Sequence, residues 1–258
     1  MCLITFAYDH HPDFFLILAA NRDEFYQRPA REAKFWEAEG MPELLAGRDL
    51  KAGGTWMGVA KTGKWGAITN YRDMKKIKEN TPSRGEILPE FLTSKRSAGS
   101  YLDQHSGVAE EYNGYNLLLG DGKDLHYFSN QNMTREMIKP GIHGISNAFL
   151  NTPWPKVEQA KAKLDSLISG SFDKEDLFDL LMTEDKAPAD QLPDTGLEPE
   201  WEKALSSIFI SIDGYGTRCS TLLLIDREGS LSFTERRYEP GSSKTLDENN
   251  FVIPDFIS

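Results

Sequence analysis

The stretch FFLILAA at residues 14–20 constrains this chain more than any other. A strand with one wet face alternates apolar and polar residues, whereas one that is apolar at every position is buried on both faces. The run is far too short to span a bilayer, which takes about 20 residues as a helix. A second strand-like run, LITFAY at residues 3–8, precedes it, and the DHHPD between them is polar and carries a proline, as a turn does. The chain therefore opens on a hairpin whose second strand needs cover on two sides.

Further strands follow. Residues 55–60 and 65–70 flank KTGK, residues 115–119 and 125–129 flank GDG, and residues 220–225 and 231–237 flank DREG. Residues 142–146 and 208–212 read as single strands. Helices fall between these groups. Ser83 and Glu86 have capping-box spacing and predict a helix through about residue 92. Ala98, Tyr101, Leu102 and Val108 fit a helix over 97–110. Val157, Ala160, Leu164 and Leu167 fit a third behind Pro155, and Asp173 caps a fourth over 175–182. Residues 187–199, with prolines and acidic residues, read as a surface loop. Strands on both sides of a helical middle predict a single domain over residues 1–258. Its class is α+β, two mostly antiparallel sheets packed together with helices outside.

Composition narrows the function classes. A chain of 258 residues with 39% hydrophobic and 27% charged residues is long enough for that core and reads as a soluble globular protein. A net charge of -11 speaks against nucleic acid or an anionic membrane as partner. Two cysteines, Cys2 and Cys219, make neither a disulfide framework nor a zinc ligand set, and they fit a reducing compartment. No basic stretch followed by an apolar one opens the sequence, so no signal peptide is expected and the cytoplasm is the expected location.

The candidate chemistry starts at Cys2. In one reading it is a small hydrophobe at a strand start. In the other, removal of Met1 leaves a thiol and a free α-amine on one residue, nucleophile and base together. An antiparallel first hairpin brings Arg22, at the end of the second strand, beside Cys2. A guanidinium there favours the thiolate over a free thiol pKa of about 8.5. Asn70 and Asn147 each end a predicted strand, and a side-chain amide can donate to an oxyanion, although asparagine also suits turns. Arg218 stands just before a buried strand and reads equally as a surface arginine. His10 and His11 lack a third metal ligand. Gly53-Gly54-Thr55 lacks the ending of a phosphate loop, and Trp56, Trp65 and Trp154 read as packing residues. No cofactor and no metal are expected.

The segments MCLITFAY, AANRDEF, LLAGRDLKAGGTWMGV, GAITNYRD, PSRGE, GYNLLLGD, GISNAFLNTPWPK and GTRCSTLLLID, in this order, resemble the NRDE family, also called the transport and Golgi organisation protein 2 family. The resemblance implies the four-layer αββα sandwich of N-terminal-nucleophile hydrolases. More distantly, the chain is similar to bile salt hydrolases and penicillin V acylases. That likeness implies a catalytic set of Cys2, Arg22, Asp23, Asn70, Asn147 and Arg218. Those acylases space the arginine and the acid as Arg-x-x-Asp, whereas this chain has Asn21-Arg22-Asp23-Glu24. Strand alternation puts Arg22 and Glu24 on one face and Asn21 and Asp23 on the other, so the acid stays open between Asp23 and Glu24. The expected activity is hydrolysis of a non-peptide C–N amide bond in a small molecule, with anionic molecules among the candidates. Eukaryotic relatives are associated with haem trafficking and lipid homeostasis, which sets a non-catalytic carrier of the same fold beside the enzyme.

Overall fold

The computed structural model describes residues 2–257, with Cys2 described by its backbone alone. What is expected of the Cys2 side chain and of Met1 lies outside the described residues. In chain order the strands are β1 (Cys2–Tyr8), β2 (Phe14–Phe25), β3 (Ala30–Trp36), β4 (Met41–Asp49), β5 (Met57–Ala60) and β6 (Lys64–Asn70). Helices α1 (Ile87–Thr93) and α2 (Ala98–His105) precede β7 (Tyr115–Asp121), β8 (Asp124–Ser129), β9 (Thr134–Met137) and β10 (Gly141–Ile145). Then come α3 (Pro155–Ile168), α4 (Lys174–Leu181), α5 (Pro199–Ala204), β11 (Ser211–Ile212), β12 (Tyr215–Asp226), β13 (Leu231–Tyr238) and β14 (Thr245–Ile253). The α+β class with two antiparallel sheets is as expected.

The chain forms two compact units. The first takes residues 1–27 and 139–254. Its sheet has the order β10-β1-β2-β12-β13-β14, with β11 paired to β12. Every pairing is antiparallel. The run at 14–20 is the centre of this sheet, and Leu16, Ile17, Leu18 and Ala19 are all buried. One set of the alternation, Leu3, Ala7, Ile17, Ala19 and Leu222, packs against Val157, Ala160 and Leu164 of α3 and Leu177 and Leu181 of α4. The other set, with Ile4, Phe6, Leu18 and Leu223, is buried as well. Helix α3 lies close to its sheet because β10 carries Gly144, where a Cβ would stand 2.8 Å from Val157 Cγ1.

The second unit takes residues 28–138 and the last four residues. Its sheet runs β3-β4-β5-β6-β7-β8-β9, each strand paired with its sequence neighbour. Helices α1 and α2 cover one face through Leu88, Phe91, Leu92, Tyr101 and Leu102. The GRDLKAGGTW and SRGE segments meet here by backbone contact. Thr55 N donates to Gly85 O at 3.0 Å, and a Cβ on Gly54 would stand 2.1 Å from that oxygen.

Four expectations are corrected. The helix expected from Ser83 begins as a 3-10 turn at Arg84–Glu86 and becomes α1 only at Ile87. Pro89 has no N–H to offer Gly85 O, and that oxygen takes Thr55 N instead. The helix expected over 97–110 ends at His105, two residues before Gly107. Of 208–212 only Ser211–Ile212 is strand. Ile208, Phe209 and Ile210 are buried all the same, with Phe209 N donating to Thr183 O and Ile210 N to Thr217 Oγ1. The loop expected over 187–199 is interrupted by a 3-10 turn at Ala189–Gln191, and α5 starts at its end.

Candidate active site

In the first sheet β10, β1, β2 and β12 are successive neighbours. Across β1 and β2, Cys2 pairs with Arg22, as the antiparallel hairpin requires. Across β2 and β12, Arg22 pairs with Cys219. On the other side Ile4 pairs with Ile145, the last residue of β10, and Asn147 lies two residues further on, in the bend that follows. One row across three strands therefore reads Cys2, Arg22, Cys219.

A bulge interrupts β12 at this row. Thr217 pairs with Asp23 and Cys219 with Arg22, which makes Arg218 the extra residue. Bulges re-aim side chains and recur beside active sites. Arg218 Nη1 donates to Phe25 O at 3.1 Å and Tyr26 O at 3.2 Å, so the guanidinium is tied to the chain leaving β2. Burial, and then the Arg22 charge nearby, hold its pKa below the ordinary arginine value. Arg22 itself is buried.

The NRDE segment divides by alternation. Asn21 is buried and donates from Nδ2 to Leu181 O at 2.9 Å and Ile208 O at 3.0 Å. Its Oδ1 accepts from Ser220 Oγ at 2.6 Å, and Ser220 accepts in turn from the Tyr238 hydroxyl at 2.9 Å. Asp23 is 1% exposed and accepts from Thr217 Oγ1 at 2.7 Å, while Tyr215 OH donates to its backbone oxygen at 3.1 Å. Glu24 is half-buried and accepts from the N–H of Phe25 at 2.9 Å. Of the two acids, Asp23 is the buried one.

Asn147 is fully buried in the turn that follows β10. Ser146 Oγ donates to its Oδ1 at 3.3 Å. Asn151 closes this turn. Its N–H donates to Gly144 O at 2.8 Å and its Oδ1 accepts from Gly144 N at 3.0 Å. It does so at φ 57, a left-handed conformation that asparagine tolerates. The chain then enters α3 at Pro155. Asn70 ends β6 opposite Tyr115, in the second unit, and is not a member of the row.

One residue absent from the sequence-derived set belongs with Asp23. Lys156, in the first turn of α3, is 2% exposed. Burial pushes the Asp23 carboxyl above its usual range, and the Lys156 ammonium is the strongest influence pulling it back, followed among the described groups by the Thr217 hydrogen bond and Arg22. The sequence does not mark it, since a lysine in the first turn of a helix reads as solvated. His11, by contrast, is structural. It packs against Phe14 and Phe172, and its Nδ1 accepts from Asp13 N.

Cys219 is a buried thiol, and it flanks Arg22 from the side opposite Cys2. Two strand spacings, about 9–10 Å, separate these two backbones. That exceeds the roughly 7 Å reach of a disulfide.

The family model for Transport and Golgi organisation 2 matches residues 1–240. The Transport and Golgi organization protein 2 homolog of Bos taurus is 37% identical, with 92% of each chain covered. The homolog of Mus musculus is also 37% identical, over 97% of this chain and 98% of the relative. Among solved structures, a mutant conjugated bile acid hydrolase from Clostridium perfringens superposes with a TM-score of 0.50 at 10% identity, covering 97% of this chain and 92% of that one. The fold is thus of the N-terminal-nucleophile hydrolase type. No helix among the described residues is long and apolar enough to cross a membrane.

Proposed function

This chain belongs to the Transport and Golgi organisation 2 family, and from that premise we propose that it is an N-terminal-cysteine hydrolase that cleaves a non-peptide C–N amide bond in a small molecule. The row Cys2, Arg22, Cys219, with Arg218 in the bulge beside it, is the observation that carries the reading. Two segments far apart in sequence, the first hairpin and β12, supply it, and composition does not demand that they meet there.

The mechanism follows from the groups. With Met1 removed, the Cys2 α-amine, of reference pKa about 7.7–8.0, takes the thiol proton. The sulfur attacks the amide carbonyl from about 3 Å. The carbonyl oxygen becomes an oxyanion, and the Asn147 side-chain amide donates to it, with Asn70 as the second expected donor. The C–N bond breaks as the α-ammonium returns its proton to the leaving amine. Water, deprotonated by the same amine, then hydrolyses the thioester and frees the acid and the thiol. Asp23 holds the α-amine, and Arg22 and Arg218 favour the thiolate and orient an anionic substrate group.

The test is mass spectrometry of untagged protein purified from its native host. Met1 is expected to be absent. Brief iodoacetamide treatment is expected to label Cys2 at least about tenfold faster than Cys219, because a buried thiol is inert. N-acyl-aminocoumarin amides are expected to release the fluorophore and leave an acyl adduct on Cys2 that a Cys2→Ala variant lacks. Fully retained Met1, or equal labelling of the two thiols, rules out the self-base mechanism. A saturable one-to-one haem complex without turnover would mark a carrier instead.

A further inference from the structure

We propose that His143 is a positioning residue: its neutral imidazole, protonated at Nε2, latches the Asn151 side chain, and Asn151 in turn holds the bend that contains Asn147. The proposal rests on Asn147 acting as the oxyanion donor, as set out above.

β10 forms one edge of the first sheet, where backbone groups need partners other than a strand. Asn151 supplies both partners for Gly144. Its N–H donates to Gly144 O at 2.8 Å, and its Oδ1 accepts from Gly144 N at 3.0 Å. One asparagine thus stands in for a neighbouring strand. These two bonds close the chain over residues 145–150 into a loop, and Asn147 is fully buried inside it.

The proton positions follow from the partners. A backbone N–H only donates, so the Asn151 atom facing Gly144 N is the oxygen, and the other end of that amide is its NH2. That nitrogen lies 3.0 Å from His143 Nδ1. An amide NH2 only donates, so His143 Nδ1 accepts. His143 Nε2 lies 2.9 Å from Lys139 O. A carbonyl only accepts, so Nε2 carries the proton. The ring is also held in place by Phe6, its cross-strand partner, stacked at 5.2 Å between centroids and 27° between planes. Thr5 Oγ1 donates to the His143 backbone oxygen at 3.3 Å. A second proton, on Nδ1, would face the Asn151 NH2, donor against donor, and open the latch. Charged side chains beside this segment include Lys139, exposed ahead of β10, and Lys161 of α3. The Lys161 stem lies against Gly144, and its ammonium pairs with Glu158 at 3.0 Å.

The experiment compares the full-length wild type with His143→Leu, His143→Asn and Asn151→Asp. Nitrogen-15 NMR of the imidazole reads the protonation of His143, and the side-chain amide signals of Asn147 read the bend. Hydrolysis of N-acyl-aminocoumarin amides reads the site. At pH 7.5 the wild-type ring is expected to carry its proton at Nε2 alone. Removing an oxyanion donor outright costs about 10²–10³ in kcat, so loosening its bend in His143→Leu should cost about tenfold, with KM within about twofold and the Asn147 signals displaced. His143→Asn keeps an acceptor for the Asn151 NH2 and should retain both. Asn151→Asp still accepts from Gly144 N but offers His143 an acceptor, so the imidazolium becomes the latched form and its midpoint should rise by about one to two pH units. In the wild type the Asn147 signals should therefore shift as pH falls through the His143 midpoint, and in Asn151→Asp they should shift as pH rises through it. A wild-type ring protonated at Nδ1 at pH 7.5 overturns the latch, as do Asn147 signals that ignore His143→Leu. Displaced signals with unchanged kcat overturn the positioning role. If the wild type hydrolyses no amide while its ring and Asn147 signals behave as expected, the hydrolase reading has failed, and the positioning role fails with it. Should His143→Leu not fold, Asn151→Asp decides, since a pH response of unreversed sign overturns the proposal.

Discussion

Asn21, Arg22, Asp23 and Glu24 are consecutive, and alternation along β2 gives them different work. Arg22 joins the row with Cys2, and Asp23 meets Thr217. Asn21 instead ties the end of β2 to the close of α4 and to the buried stretch at Ile208. Replacing it by alanine strands two buried carbonyl oxygens and the Ser220 hydroxyl. Each orphaned group costs about 1–3 kcal/mol, so Asn21→Ala is expected to lower unfolding stability by about 3 kcal/mol, read as a lower urea midpoint. A loss below about 1 kcal/mol would mean that water takes over these contacts. Strand alternation made the division of NRDE legible from the sequence, and hairpin geometry made the Cys2–Arg22 neighbourhood legible. The partners of Asn21 were not, because they lie 160 to 199 residues away. Nor was Lys156, since a lysine near a helix start looks solvated until a buried acid is found beside it.

Elements were legible where their period is clean. The hairpins β1–β2, β5–β6, β7–β8 and β12–β13 and the helices α3 and α4 all carry unbroken patterns. β3 and β4 do not, because their pairing shifts register between Arg31 and Lys34 and again between Phe35 and Trp36, and each shift flips the alternation. β9 and β14 are sheet edges with few buried residues, so hydrophobic patterning has little to show there. α2 is short but ends on a group with a measurable consequence. His105 is buried in its last turn, stacked on Tyr101, with Nε2 2.6 Å from the Tyr115 hydroxyl. Burial holds its pKa below the ordinary value, and burial followed by Arg135 does the same for His126. A histidine depressed in the folded state stabilises fully above its unfolded pKa of about 6.5 and loses that contribution as pH falls through the folded value. Stability should therefore decline from pH 7 to 5, by up to about 1.4 kcal/mol per pH unit for each histidine. His105→Gln keeps a partner for Tyr115 and removes one titration, so its decline should be shallower. Asp23, raised by burial, acts with the opposite sign, but it is common to both proteins and cancels in the comparison. Parallel stability curves for the two proteins would show that His105 does not titrate with unfolding.

Over the whole chain, the row depends on pairings that close late in sequence. β2 finds β12 nearly two hundred residues on, and β1 finds β10 about 140 residues on, so the sheet that carries the row is built from long-range contacts. The second unit is the opposite case, since every strand pairs with the next. Its one distant element is the end of the chain. After β14 the chain leaves the first unit, and Asp255–Ser258 belongs to the second. Phe256 and Ile257 are 3% and 5% exposed, and Phe256 O lies where a Cβ on Gly63 would stand at 2.6 Å, in the turn between β5 and β6. Gly63 has φ 88, so both the backbone turn and the approach of Phe256 call for glycine. A buried phenylalanine cut back to alanine costs about 3–5 kcal/mol. Phe256→Ala in the full chain should therefore raise the open population around β5 and β6 by about a hundredfold to a few thousandfold, since each 1.4 kcal/mol is a factor of about ten. Hydrogen exchange measures this directly, as faster deuteration of the Met57–Ala60 and Lys64–Asn70 amides. If those amides keep wild-type protection, the chain end is a passenger on this unit, and the burial of Phe256 contributes nothing to holding the β5–β6 hairpin.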